Sequence, residues 1–438
     1  MAPSNGLVET NGHVQTNGDA PVRVAKVNGA AKDVDHVNFG NPIDNKQLAT
    51  EEQYLEAIDA IRAKLPKLAE LKALIELDLT SGHPPIFIDA RGTPTTLNSS
   101  TDEPSVHLRT RPETILHLIE GLMEVRYADH FNHIEAKGEQ VELAVKFGDL
   151  ISPVQPASPS PPVGRLPEPT TDIKQVKADL KEFGYGFVKD ALSPVECATL
   201  AKRLSDQAAG ERKAGVAYFD GGPLKPNQRI WNLPNKGQEF LDLLDHPLVA
   251  EFMSENLGNG YHLSSYTANI NRPGSKGMGM HHDQITINPA IPQFPLGVNL
   301  MWFLEEVTEE NGGTRILPRS HKGLVAPMNL HDIGGTIAAQ GPAGTCLVFE
   351  SRLWHATGPN TAASGERPVI LQFYVRHFVR PQENFTLSVL PEVEAKLTRA
   401  AQQALGFTVT ATLGGVEGFR PDGTVVSRPE KPIGILNP

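Results

Sequence analysis

The chain is poor in cysteine, in clustered positive charge and in long apolar runs, and each shortage removes a class of protein. Only Cys197 and Cys346 occur in 438 residues, so a disulfide framework is unsupported and a reducing, cytoplasmic setting is expected. The formal net charge is -11 with no long Lys/Arg run. That argues against nucleic acid as a partner, because neutralising phosphates needs clustered cations. No apolar stretch approaches membrane-spanning length. The opening Met-Ala-Pro-Ser-Asn-Gly lacks the apolar core of a secretory signal, and the closing Leu436-Asn437-Pro438 is no peroxisomal or endoplasmic-reticulum address. An anionic small molecule stays open as a ligand, since one or two arginines suffice to hold it.

What is abundant is glycine (39) and proline (36), which favours many turns and short strands. The length exceeds one ordinary domain. Residues 1–45 repeat Asn-Gly at Asn5, Asn11, Asn17 and Asn28 without a helical or strand period, and are expected to be a disordered arm. Residues 46–150 read as an α+β domain. An apolar stripe predicts a helix over 52–77, kinked or split at Pro66. Short strands follow at 85–90 and 106–110, then a helix with proline at its start and glycine at its end over 112–121. Alternation predicts a last strand over 141–147.

Residues 151–169 are a Pro/Ser-rich linker. A second domain, 170–385, opens with a helix over 172–183 and a strand leaving Gly184. Ser193-Pro194-Val195-Glu196 then makes a capping box, and two further helices fall near 240–247 and 249–257. Short strands take over from 261 to 374, at 263–270, 298–304, 345–349 and 368–375. A helical lead followed by such strands suggests a sandwich or barrel flanked by helices. A C-terminal extension, 386–438, carries one helix at 391–405 and is expected to cover the site or to form a homodimer.

The chemistry concentrates between Gly279 and Arg367. Met280-His281-His282-Asp283 opens this stretch and Trp354-His355 lies near its end, with Arg367 twelve positions past His355. His-X-Asp alone is weak evidence among 15 histidines. On a strand, however, His281 and Asp283 would project to one face and His282 to the other. Two nitrogens and a carboxylate can occupy one face of an iron(II) ion and leave the opposite positions open. Trp302 and Trp354 are expected to pack the barrel, His321 to sit in a structural turn, and Cys346 to be buried.

Between these motifs runs Glu310-Asn311-Gly312-Gly313-Thr314-Arg315-Ile316-Leu317-Pro318-Arg319-Ser320-His321; after them come Gly358-Pro359-Asn360 and Arg367-Pro368. With the leading Gly-Tyr-Gly-Phe-Val strand and the Arg272-Pro273-Gly274 turn, the pattern over about 172–385 resembles the phytanoyl-CoA dioxygenase family of iron(II)- and 2-oxoglutarate-dependent oxygenases. The resemblance implies a double-stranded β-helix (a jelly-roll, cupin-like barrel) flanked by helices. It implies that His281, Asp283 and His355 ligate iron and that Arg367 pairs with the far carboxylate of 2-oxoglutarate. Thr314 would support the co-substrate, and Arg229 would be a second anionic contact. Relatives often carry glutamine where Met278 stands here, so polar support is expected from Asn269 or Gln284.

The implied cofactors are iron(II), 2-oxoglutarate and dioxygen, with ascorbate supportive in vitro. The implied reaction oxidises an unactivated C–H bond of a small organic molecule by hydroxylation, desaturation or ring closure, in specialised metabolism. The string from Ser105 to Gly121, with Gly138 and the predicted strand after it, resembles the sterol-carrier-protein fold. That implies a sheet covering a hydrophobic or amphipathic ligand, or a docking or packing module. Two other readings remain: a non-catalytic lipid- or metabolite-binding protein with a vestigial barrel, and a zinc hydrolase. The hydrolase leaves Arg367 and the Asn-Gly-Gly-Thr string without a role.

Overall fold

The computed structural model describes residues 49–130, 132–153, 164–287, 291, 293–322 and 333–415. The expected arm at 1–45, the centre of the expected linker at 154–163 and residues 416–438 lie outside them. The first helix, α1 (Glu51–Leu68), starts from a reciprocal cap between Thr50 and Gln53 and contains Pro66 in its last turn. It does not continue to 77. A 3-10 turn over Ala69–Leu71 leads into left-handed Lys72 (φ 52°), and Leu74, Ile75 and Leu77 belong to strand β1 (Leu74–Asp78).

Strand β1 pairs antiparallel with β2 (Ile86–Asp89) and parallel with β4 (Val106–Thr110). With β3 (Thr96–Asn98) and β5 (Ile134–Lys137) the order is β3-β2-β1-β4-β5. Helix α2 (Pro112–Glu120) begins on proline and ends on left-handed Gly121 (φ 74°), and α3 (Val125–His130) follows. The strand predicted at 141–147 is instead part of α4 (Leu143–Ile151), which buries Leu143, Ala144, Phe147, Gly148, Leu150 and Ile151. That is a helical stripe; the alternation of Val141, Leu143, Val145 and Phe147 mimicked a strand only over a short window. The helices cover Ile75, Leu77, Val106 and Leu108 on one face of the sheet. The other face carries ion pairs from His107 to Glu76 (3.2 Å), Arg109 to Glu135 (3.5 Å) and Lys137 to Glu135 (3.1 Å).

In the second half, α5 (Ile173–Phe183) is capped by Asp172 and ends on Gly184 (φ 85°), feeding β6 (Tyr185–Val188). Helix α6 (Pro194–Ala214) opens with the Ser193–Glu196 capping box. Then come β7 (Tyr218–Asp220), β8 (Asn227–Ile230), α7 (Gln238–Leu244), α8 (Pro247–Leu257), β9 (His262–Asn271) and β10 (Gly297–Phe303). The remaining strands are β11 (Arg315–Ile316), β12 (Ile337–Ala338), β13 (Cys346–Glu350), β14 (His355–Ala356) and β15 (Arg367–Val375). Seven of them form an antiparallel sheet in the order β6-β13-β10-β15-β9-β8-β7, and β12-β11-β14 form a second. One apolar core joins the helices to the large sheet through Leu200, Phe240, Phe252 and Trp302. Another joins the two sheets through Tyr185, Met301, Phe303, Ile316 and Phe349.

The helix expected at 391–405 is two, α10 (Pro391–Glu394) and α11 (Arg399–Ala404), preceded by α9 (Phe385–Ser388). Thr398 caps α11 by accepting from the Ala401 amide, and Leu397 between the two enters the core. Among the described residues no helix is long and apolar enough to cross a membrane.

Candidate active site

His281 and His355 exchange backbone hydrogen bonds of 2.9 and 2.8 Å, which sets their side chains next to each other. Asp283 opens a single 3-10 turn (Asp283–Thr286) after extended His282 (φ -126°, ψ 145°). The arm is therefore a bridge followed by a turn, not a continuous strand. One ligand atom each from His281, Asp283 and His355 lies within 4.8 Å of the others.

The hydrogen bonds at this site fix which atoms face the cavity. His281 Nδ1 is 3.0 Å from the Gly279 carbonyl and His355 Nδ1 is 2.9 Å from the Leu353 carbonyl. A carbonyl only accepts, so each Nδ1 carries the proton and each Nε2 keeps its lone pair for a metal. Burial, with His355 next in weight, pushes the His281 imidazole down to about 4; it is neutral at physiological pH, as a ligand must be. Asp283 Oδ2 accepts from Asn299 Nδ2 at 2.6 Å. Its Oδ1 stands 3.8 Å from His355 Nε2. This N,N,O set fits iron(II).

Asn299 was missed by sequence reasoning; its signal is a lone amide in the wholly buried strand β10. Asn299→Ala is expected to lower metal affinity about 10–100-fold, the usual cost of losing a residue that orients a ligand. Titration of metal-free protein with cobalt(II) measures it.

Arg367, 1% exposed at the start of β15, donates from Nη2 to the Gly312 carbonyl at 2.8 Å. Its Nε has no partner among the described residues. Burial, with repulsion from Arg229 second, lowers this guanidinium to about 10, so it stays cationic at neutral pH. A cationic fork with an unmet donor fits a carboxylate. The Gly-Gly pair of the Asn-Gly-Gly-Thr turn has a steric reason: a Cβ on Gly312 would sit 2.9 Å from the Gly358 carbonyl oxygen, and one on Gly313 2.8 Å from the Ala339 carbonyl oxygen.

These groups line one cavity of about 360 Å³, together with Thr314, Arg229, Asn269 and Met278. Thr314 is buried, its hydroxyl 3.5 Å from Met301 Sδ. Arg229, expected as a second anionic contact, is already paired: its Nε donates to Asp220 and its Nη2 lies 2.8 Å from Met278 Sδ. Of the two residues considered as polar support, Asn269 lines the cavity with an unpartnered Oδ1. Gln284 turns away to accept from the Leu296 amide and the Ser351 hydroxyl. His321 contacts the Lys181 carbonyl at 3.2 Å, and Trp302 donates to Gln372 at 2.9 Å; neither lines the cavity.

Residues 180–369 match the family model described as phytanoyl-CoA dioxygenase. Dioxygenase af480 of Aspergillus fumigatus is 27% identical over 275 residues, which are 60% of this chain and 88% of that protein. Dioxygenase sphC of Aspergillus fumigatus is 28% identical over 270 residues, 56% of this chain and 71% of that protein. Among solved structures, the epimerase SnoN in complex with Fe3+, alpha ketoglutarate and nogalamycin RO aligns with a TM-score of 0.38 and 17% identity, covering 50% of this chain and 90% of that one. Residues 180–369 thus carry a match to the phytanoyl-CoA dioxygenase family model, and the chain is an iron(II)- and 2-oxoglutarate-dependent oxygenase.

Proposed function

We propose that His281, Asp283 and His355 ligate iron(II), that Arg367 holds the far carboxylate of 2-oxoglutarate, and that the enzyme oxidises an unactivated C–H bond of a small organic molecule. The observation that carries this is the meeting of three open ligand atoms and a buried arginine with an unmet donor in one cavity. The two antiparallel sheets joined by a common core support the jelly-roll reading. When bound by these residues, iron(II) with 2-oxoglutarate and dioxygen would supply an oxidant for the C–H bond, the co-substrate leaving as succinate and carbon dioxide.

The chain's own part is geometric. The carbonyls of Gly279 and Leu353 hold both imidazoles in the metal-binding tautomer, and Asn299 aims the carboxylate. Arg367 orients the co-substrate by its far end, with Thr314 beside it. Phe349, Val369, Leu371 and Phe373 give the walls an apolar side, which excludes water from the reacting centre. A cavity of about 360 Å³ is at the small end for an organic ligand, so we take the substrate to be a small metabolite of specialised biosynthesis, hydroxylated, desaturated or cyclised.

The test is purified protein with iron(II), ascorbate, 2-oxoglutarate and a panel of such metabolites. Succinate is expected to form in proportion to oxidised substrate and to stop when a chelator removes the metal. Tight, saturable binding of a metabolite without any succinate would favour the non-catalytic reading instead.

A further inference from the structure

The side chain between the two ligands of the arm points away from the cavity and meets the N-terminal half. His282 Nε2 lies 3.3 Å from Glu124 Oε2, with the two side chains only 4% and 13% exposed. The other face of the contact is Trp354, whose ring stands edge-on to the His282 imidazole at 5.0 Å and which precedes His355 in the chain. His282 thus touches, on one side, a carboxylate from the α+β half and, on the other, the neighbour of the third ligand. A buried carboxylate is costly unless paired, and among the described residues the side chain that bonds Glu124 is this histidine.

Glu124 is itself rigidly mounted. It precedes α3, where its carbonyl accepts from the Ala128 amide at 3.0 Å. Arg126, two residues further on and in α3, makes a two-bonded pair with Asp149 of α4 at 2.9 and 3.0 Å. Helix α4 closes against α3 because residue 148 is glycine: a Cβ there would lie 2.1 Å from Val125 Cγ2. The described residues from 49 onward belong to one compact unit.

We propose that Glu124 is a positioning residue of the metal centre: through His282 it braces the His281–Asp283 arm from behind, so the α+β half serves the oxygenase as a fixed bracket. The ion-paired outer face of its sheet suits that duty better than lipid carriage. The inference rests on His281, Asp283 and His355 being the ligands.

The test compares cobalt(II) affinity and the visible spectrum of the cobalt-loaded full chain in Glu124→Ala, Glu124→Gln and His282→Phe. Phe keeps a ring against Trp354 and removes the bond to Glu124. Affinity is expected to fall about 10–100-fold in the Ala and Phe variants, with altered cobalt absorption bands. Glu124→Gln, which still offers a hydrogen bond, should recover most of the loss, and Glu124→Ala with His282→Phe should cost no more than either alone. Parent-like affinity and spectrum in folded Glu124→Ala, or penalties that add independently, overturn the proposal. If Glu124→Ala does not fold, His282→Phe with Glu124→Gln decides it by the same readouts. A His281→Ala control that still binds cobalt would show that the ligand assignment has failed, and not the bracket alone.

Discussion

Replacing His281 by alanine is expected to remove metal binding and succinate formation together while leaving the protein folded. The hydrogen bond recorded for this side chain is Nδ1 to the Gly279 carbonyl, so its loss costs the metal-free fold little. The cost falls on the metal. Losing a residue that merely orients a ligand lowers affinity by about 10–100-fold, and losing one of three ligands should exceed that. A metal at about 100 times its dissociation constant stabilises the state that binds it by about 2.7 kcal/mol. The parent should therefore show a clear rise in melting temperature with cobalt(II), and the variant none. Asp283→Ala should behave alike, with an added penalty because the Asn299 amide loses its acceptor. A variant that keeps the metal-dependent rise would remove these residues from the ligand set.

Arg367→Leu should separate co-substrate binding from stability. Truncating one partner of a buried charge pair costs about 2–5 kcal/mol, so the KM for 2-oxoglutarate should rise by roughly one and a half to three and a half powers of ten. Metal affinity should hardly change, because Arg367 touches none of the three ligands. Stability should not fall by a similar amount. In the absence of co-substrate this guanidinium is buried with one bond to Gly312 and an unpartnered Nε, and removing an uncompensated buried charge is often neutral or stabilising. Arg367→Lys keeps the charge but loses the planar fork and should lie between parent and Leu. Denaturant unfolding and the KM measured on the same preparations check both halves; an unchanged KM would mean that another cation holds the co-substrate.

How far the sequence foretold this molecule depends on whether local or distant partners decide each element. Pro112 and Gly121 bracket α2, and Ser193 and Glu196 start α6, because caps are chemistry within one turn and can be read directly. Strands β9, β10, β13 and β15 were foreseen close to their bounds for a related reason: turn residues punctuate them. The strand expected at 141–147 failed because Leu150 and Ile151, which complete the helical stripe, lie beyond the window, and Gly148 reads as a breaker when it is a packing site. At the site, His281, Asp283, His355 and Arg367 were named from motifs, and the structure brings all four to one cavity. Asn299 and Glu124 were not, since each acts through a residue far away in sequence. Arg229 looked like a free anion contact because nothing local announces its pairing with Asp220.

The proposed ligand set straddles the two sheets. His281 bridges to His355 on β14 and thereby to β11 in the three-stranded sheet, whereas Asp283 is held by Asn299 on β10 in the seven-stranded one. A metal shared among them couples local openings that would otherwise be independent. Amide hydrogens in β10, β11 and β14 should then exchange with solvent at a common, slow rate in the cobalt-loaded protein. Once the metal is removed they should split into separate classes, with the two-residue strands β11 and β14 opening first.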